Sequence, residues 1–409
     1  MTRAYYTDSY TLDFMAAVVA IETIDGRPMV ILDNSYFYPT SGGQPHDTGT
    51  LARGGEAARD GQAARVIDVI ERESDGAVLH VLDRPLGPGP VAAAVDRKRR
   101  LDHMRHHTGQ HILSQAFVRV AAAETIGFHL SPQTVTIDLD RAGLSADEID
   151  AAETLANEVI WSDRPVSVRF VTLAEAAGLP LRKTPPGRDG RLRLVDIEDF
   201  DLTACGGTHV ARTGEVGLVK VARTERRGET TRVEFLCGGR ALADYRARAG
   251  VVRDLGAALT TGPAELLPAV IRLQEETKAL RSELRQSEAA LLALEAGQLL
   301  AAAEPLGEAR LVARVFTDRD PDALRQLATA LTGSGQVVAL LGLAGERSHL
   351  VFGRSAGAPG AMGELIKPAL ATLGGRGGGS PTLAQGGGPA AGEAGMAAVL
   401  AAAAAQLRG

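Results

Sequence analysis

Two short clusters about ninety residues apart carry side chains that bind metal ions: His107-Thr108-Gly109-Gln110-His111 and Cys205-Gly206-Gly207-Thr208-His209. On a helix, residues i and i+4 share a face, so His107 and His111 can grip one ion from the same side. Cys-x3-His with Gly206 and Gly207 inside it suits a tight loop that turns a thiolate and an imidazole inward. Together the four groups offer one sulfur and three nitrogens, the types and number that suit zinc, one ion per chain. Either half alone is an ordinary polar cluster, and it is the pair that argues for a centre. A rival register, His103-x3-His107, has the same spacing, with His106 beside it. His107 belongs to both.

The elements that must position these groups are legible in outline. Leu101, Met104, Ile112, Leu113, Ala116, Phe117 and Val120 recur at helical spacing, which predicts a helix over Arg99 to Ala122. Thr134–Leu139 is strand-like, and Ser145-Ala-Asp-Glu opens a second helix as a capping box would. Val166–Thr172 and Leu192–Ile197 are further strands, and Cys205 is expected after a short acidic loop. Within that loop, Asp199 and Asp201 could accept a hydrogen bond from a ligating histidine. Thr231–Cys237 is strand-like, with Cys237 a small core residue.

On either side the pattern changes. Residues 1–96 show paired apolar runs around Asp25-Gly26 and Ser74-Asp75-Gly76, which predicts a small antiparallel β-barrel. Residues 97–242 form the α+β metal-binding unit. Residues 243–304 form a helical, coiled-coil-like spacer, because Val270, Leu273, Thr277, Leu280, Leu284, Ser287, Leu291 and Leu294 step by three and four. That stripe serves a structural spacer in preference to a homodimer seam, which the C-terminal domain could also supply. Residues 305–409 alternate strand and helix as a small α/β domain, with an unusual glycine-rich loop from Gly374 to Gly388. The fold class is therefore α+β and multidomain.

Composition sets the limits. A chain of 409 residues, 45% hydrophobic and 23% charged, is an ordinary globular protein of two to three domains. Arg3, Asp8 and Asp13 interrupt the N-terminus, which argues against a secretory signal, and no apolar run suits a membrane span. Two cysteines, one in the metal motif, argue against a disulfide framework, and a cytoplasmic protein is expected. A net charge of −6 does not advertise nucleic-acid binding. Local basic runs matter more: Arg97 to Arg100, the segment with Arg182, Lys183, Arg188, Arg191 and Arg193, and Arg223 with Arg226 and Arg227.

His-x3-His followed by Cys-Gly-Gly-Thr-His resembles the editing domain of alanyl-tRNA synthetases and the free-standing alanyl-tRNA editing proteins of the AlaX type, long form. Phe37-Tyr38-Pro39-Thr40-Ser41-Gly42-Gly43-Gln44-Pro45-His46 matches the same family near the N-terminus, and Gly374 to Gly388 is similar to its C-terminal domain. The resemblance aligns the His107/His111 register and leaves His103 and His106 solvent-facing or beside the ligands. It implies zinc-dependent hydrolysis of tRNA(Ala) wrongly esterified with serine or glycine, with no aminoacylation core in this chain. A site that must bond the serine hydroxyl rejects alanine strongly, because alanine would leave its polar groups unpaired.

Thr108, Gln110 and Gln44 are the candidate catalytic or hydroxyl-sensing residues. Thr40, Ser41, Gly42 and Gly43 are expected to cover the aminoacyl end, and Arg376, Gly377 and Gly378 to meet the tRNA. Related proteins place a hydroxyl-sensing Thr or Gln in the turn after the metal helix, which here reads Thr125-Ile126-Gly127-Phe128-His129 and supplies no clear equivalent. Two rivals stand beside this expectation: a non-catalytic tRNA-binding protein with structural zinc, and a metallohydrolase of a non-RNA ester.

Overall fold

A computed structural model describes residues 2–53, 63–132, 134–183 and 190–409. Arg188, one of the basic residues named above, lies outside them. The chain divides into two compact units, Met1–Leu255 and Gly256–Gly409.

The first unit opens with a closed six-stranded barrel. Its strands are β1 (Asp13–Ile24), β2 (Arg27–Leu32), β3 (Gly49–Arg53), β4 (Ala64–Glu71), β5 (Val78–Leu82) and β6 (Gly89–Val95), closing in the order β1-β2-β5-β4-β3-β6. Asp25 and Gly26 both have positive φ, 53° and 72°, as the two-residue turn between β1 and β2 requires. Val18, Val30, Leu32, Phe37, Leu51, Val69 and Leu82 fill the interior.

Helix α1 (Arg97–Ala121) follows, with the Asp96 carboxylate capping the Arg99 N–H. From His103 to Phe117 it is almost wholly buried, so its polar side chains must find partners inside the protein. It packs on a four-stranded sheet of β7 (Thr125–Leu130), β8 (Val135–Leu139), β12 (Val219–Arg227) and β13 (Thr230–Cys237), ordered β12-β13-β8-β7. Helix α2 (Ala146–Trp161) packs against α1 and starts with the expected capping box on Ser145 and Glu148. Gly109 lets α1 approach β13, since a Cβ there would stand 2.4 Å from Cys237 Sγ.

A second sheet, β9 (Val166–Thr172), β10 (Arg191–Ile197) and β11 (Asp201–Ala204), is antiparallel throughout. Here the acidic loop expected before Cys205 is only a turn. Asp199 takes φ 56°, and Asp201–Ala204 returns as a strand that delivers Cys205 beside Arg193. Likewise Thr125–His129 is strand, not turn. Helix α3 (Gly238–Leu259) follows β13.

The second unit begins near helix α4 (Leu266–Ala301) and carries one six-stranded sheet. Strands β14 (Glu304–Leu306), β15 (Ala309–Phe316), β16 (Val337–Leu343), β17 (Ser348–Arg354), β18 (Arg376–Gly379) and β19 (Leu383–Gly388) lie in the order β14-β15-β16-β17-β19-β18. Helices α5 (Pro321–Thr332), α6 (Met362–Thr372) and α7 (Glu393–Arg408) cover it. The expected glycine-rich loop is therefore two paired strands, β19 and the edge strand β18. Packing explains the composition: a Cβ on Gly377 would meet Gln385 O at 2.4 Å, and one on Gly386 would meet Leu370 Cδ1 at 2.4 Å. Among the described residues no helix is long and apolar enough to cross a membrane.

Candidate metal centre

α1 presents His107 and His111, and the loop after β11 presents Cys205 and His209. Their ligand atoms all lie within 4.8 Å of one another. Cys205 Sγ stands 3.3 Å from His107 Nε2 and 3.4 Å from His209 Nε2. His103, from the rival register, is not part of this group. Neither His103 nor His106 faces solvent. His106 is held between the Asp102 carbonyl and the Cys237 N–H, and burial pushes His103 down to about 3.

A neutral imidazole binds metal through one nitrogen while the other is held by a partner that fixes the tautomer. Two of the three imidazoles have such a partner, and the third has a carboxylate nearby. His107 Nδ1–H donates to Gln44 Oε1 at 2.7 Å, and the Thr208 N–H donates to the same oxygen at 3.1 Å. Two N–H donors on one atom settle which end of the Gln44 amide is oxygen. His209 Nδ1 meets Thr108 Oγ1 at 3.1 Å. Asp201 Oδ2 lies 3.5 Å from His111 Nδ1, longer than a good hydrogen bond, and the carboxylate is held by Arg182 at 2.7 and 3.0 Å.

Burial and the neighbouring charges set the protonation of Cys205 and His209 in the direction a metal needs. Burial opposes ionisation of Cys205, yet the charges of His107, His111 and His209 outweigh it and hold the thiol well below its usual range. Burial pushes His209 down to about 3. His111, opposed by burial but beside the Cys205 charge and Asp201, is raised above its usual value, so a metal ion would have to displace its proton to reach the thiolate and neutral-imidazole set of a zinc centre. Gly207 is required for the assembly, since a Cβ there would stand 2.1 Å from His107 Cε1.

Other expected site residues take specific places. Gln44 and Thr108 are fully buried and hold ligands. Gln110 Nε2 donates to Ser114 Oγ at 2.7 Å, and Thr125 Oγ1 donates to the same hydroxyl at 2.6 Å. Leu139 pairs with Thr125 while Asp138 pairs with Gly127, so Ile126 is an unpaired bulge residue, 55% exposed. That bulge turns Thr125 to the same side of β7 as Phe128, whose ring lies 5.1 Å from His107.

Gly42 and Gly43 have φ 57° and 84° and form the tip of a tight turn bridging Ser41 and Gln44. Gly43 passes against the β7 backbone, with its carbonyl accepting the Leu130 N–H at 2.9 Å. Thr40 and Ser41 are exposed, with Thr40 Oγ1 3.1 Å from His46 Nδ1. Arg100, from the first basic run, is fully buried against Asp47 and ties this loop to α1. Asp199 is exposed and lines a cleft with Gln115, Arg119 and Arg182. Cys237 is a core residue whose thiol burial pushes far up. Ser114 was not singled out from sequence, and Thr125 was named only within a segment that gave no clear equivalent, because nothing in local spacing marks a contact made through a bulge. In the second unit Arg376 and Gly377 are exposed on the edge strand, with Gly378 between Gly377 and Gly379.

The family model for the threonyl and alanyl tRNA synthetase second additional domain matches residues 192–234. The alanyl-tRNA editing protein AlaX-L of Pyrococcus horikoshii is 30% identical over 396 residues, 94% of each chain. The alanine–tRNA ligase of Pyrococcus furiosus is 33% identical over 394 residues, 93% of this chain and 41% of the ligase. The crystal structure of the C-Ala domain from Aquifex aeolicus alanyl-tRNA synthetase is 29% identical, covering 26% of this chain and 98% of that one with a TM-score of 0.25. This chain belongs to the family of alanyl-tRNA editing proteins that includes AlaX-L. It spans about two fifths of the length of the alanine–tRNA ligases it matches.

Proposed function

We propose that this protein is a zinc-dependent deacylase that hydrolyses tRNA(Ala) wrongly esterified with serine, and more slowly with glycine. The observation that carries this is the convergence of Cys205, His107, His111 and His209, each imidazole with a neighbour on its outward nitrogen. A bound zinc would supply Lewis-acid chemistry at the ester. The chain's own residues do the rest. Gln44, Thr108 and Asp201 orient the imidazoles, and against the effect of burial His111 and Arg182 keep the Asp201 carboxylate charged.

Recognition of the serine hydroxyl falls to Gln110, Ser114 and Thr125. Gln44 and Thr108 are held by the ligands, whereas Gln110 sits between His107 and His111 on α1 and joins a hydroxyl pair delivered by the bulge. Polar groups that alanine or glycine would leave unpaired favour serine. The glycine turn at 42–43 would bound the aminoacyl end, and Arg376 with the edge strand β18 would hold the body of the tRNA. The assignment of residues 1–96, 97–242, 243–304 and 305–409 to barrel, editing domain, spacer and tRNA-binding domain follows the same proposal.

One observation favours a second function: four protein ligands are the usual count of a closed, structural zinc site. The test is incubation with Ser-tRNA(Ala), Gly-tRNA(Ala) and Ala-tRNA(Ala), following ester loss over time. Fast loss of serine, slower loss of glycine and stability of alanine are expected. No loss from any of the three, with the metal in place, would leave a tRNA-binding protein with structural zinc.

A further inference from the structure

Part of the N-terminal segment ahead of the barrel runs over the ligand loop. Arg193, on β10, is only 9% exposed. Its Nε donates to the Tyr6 carbonyl at 2.9 Å and its Nη1 donates to the Cys205 carbonyl at 2.6 Å. The Arg193 carbonyl in turn accepts the Cys205 N–H at 3.1 Å. One guanidinium fork thus joins the N-terminal segment to a ligand residue, and the backbone of the same arginine fixes that residue from below.

The segment is tied down at two further points. Arg100 Nη1 donates to the Ser9 carbonyl at 2.8 Å. The Tyr10 hydroxyl accepts the Ala211 N–H at 2.7 Å and meets the Glu215 carboxylate at 2.7 and 2.8 Å. Between these anchors the Tyr6 ring stands over Gly206, where a Cβ would meet its Cε1 at 3.8 Å. These contacts bracket residues 205–215, which include Cys205 and His209.

A buried guanidinium normally needs a carboxylate. No ion pair with an acid is formed by Arg193 among the described residues, and its fork holds two carbonyls instead. Burial weakens its hold on the proton, and the nearby charge of Cys205 is the strongest influence opposing that. Lysine would present a point charge without the fork and could not span both oxygens in the same way.

We infer that Arg193 is a positioning residue for the metal centre: it clamps residues 6–10 onto the ligand loop and holds the Cys205 thiolate where the three imidazoles meet. The inference rests on the assignment of those four residues as metal ligands, and not on deacylation. Its test uses cobalt(II) as the probe, added to the metal-free full-length chain, with affinity and the thiolate-to-cobalt charge-transfer absorption as readouts.

Arg193→Met and Arg193→Lys should weaken cobalt binding on the order of tenfold, the lower end of what partners of metal ligands contribute, and should diminish the charge-transfer band. Tyr10→Phe alters a residue that is 43% exposed, so it should fold normally even where the arginine variants do not. It loosens the same strap from the far side and should weaken cobalt binding about threefold, less than a direct partner of a ligand does. Unchanged affinity and an unchanged band in Tyr10→Phe and in folded Arg193→Lys would overturn the inference. A wild-type chain that takes up no cobalt would overturn it together with the metal assignment. Cobalt effects as expected, in a protein that deacylates none of the three tRNAs, would support the inference while defeating the proposed function.

Discussion

Glycine-rich sequence marks both the Cys205–His209 loop and the Gly374–Gly388 region, and glycine does opposite work in the two. In the first, the missing Cβ of Gly207 makes room for the His107 ring, and polar side chains converge around it. In the second, the missing Cβ atoms of Gly377 and Gly386 make room for a neighbouring strand and for Leu370 of α6. Composition is therefore silent on function until it is known what occupies the vacated space: a ligand-bearing side chain in one case, a helix and a strand in the other.

The largest effect should come from the first region. Cys205→Ser, His111→Ala and Gly207→Ala should each abolish stoichiometric zinc and reduce deacylation more than a hundredfold, the upper limit expected for losing even a partner of a ligand. Metal analysis of the purified variants and single-turnover deacylation check this. Full zinc retention in Gly207→Ala would mean that its glycine, like those of the second region, only eases packing.

Acid should separate the two units. His80, fully buried in the barrel, donates Nδ1–H to the Val30 carbonyl and accepts the Ser35 hydroxyl at Nε2, the second of which only a neutral ring can do, and burial pushes it down to about 4. The folded value lies below the unfolded one, so stability present above about pH 6.5 is lost as pH falls toward 4. The loss is on the order of 3 kcal/mol. Chemical denaturation of the first unit should show that slope together with the shares of His103 and His209, which burial also holds low, and His80→Asn should make it shallower by the His80 share. An equal slope in wild type and variant would remove His80 as its source.

The convergence of His107, His111, Cys205 and His209 and the elements that carry them were legible because helix periodicity and i,i+4 spacing are local. So were the barrel, signalled by Asp25-Gly26, and the Ser145 cap. What was not legible depends on distant backbone. Gln44 meets His107 across 63 positions, a contact that no local spacing announces. The bulge at Ile126 changes the side on which Thr125 points, which no alternation of residues announces. Arg193 was grouped with exposed basic residues because charge alone does not report burial.

A smaller effect should follow in the second region. Gly377→Val places a side chain against Gln385 O and Leu370, so it should destabilise Gly256–Gly409 by about 1–3 kcal/mol. Zinc content and the deacylation of saturating substrate should not change. A loss of zinc in this variant would collapse the contrast between the two glycine-rich regions.

The smallest effect isolates what the edge strand does beyond packing. Gly378 has open space where a Cβ would go and no positive φ, so Gly378→Ala should leave stability unchanged. Arg376 is exposed beside it on β18, the free edge of the sheet, where backbone N–H groups are open to a ligand. If that edge holds the tRNA backbone, Arg376→Gln removes one phosphate contact. The slope of log affinity against log salt should then become shallower by roughly 0.7 to 0.9, with a modest loss of affinity at low salt. Deacylation at saturating tRNA should be unaffected, because the proposed metal centre lies in the other unit. The measurement is tRNA binding by the full chain at several salt concentrations, with the Gly378→Ala protein as the packing control. Identical slopes for wild type and Arg376→Gln would leave the second glycine-rich region with packing as its whole explanation, and its contrast with the metal loop would then be complete.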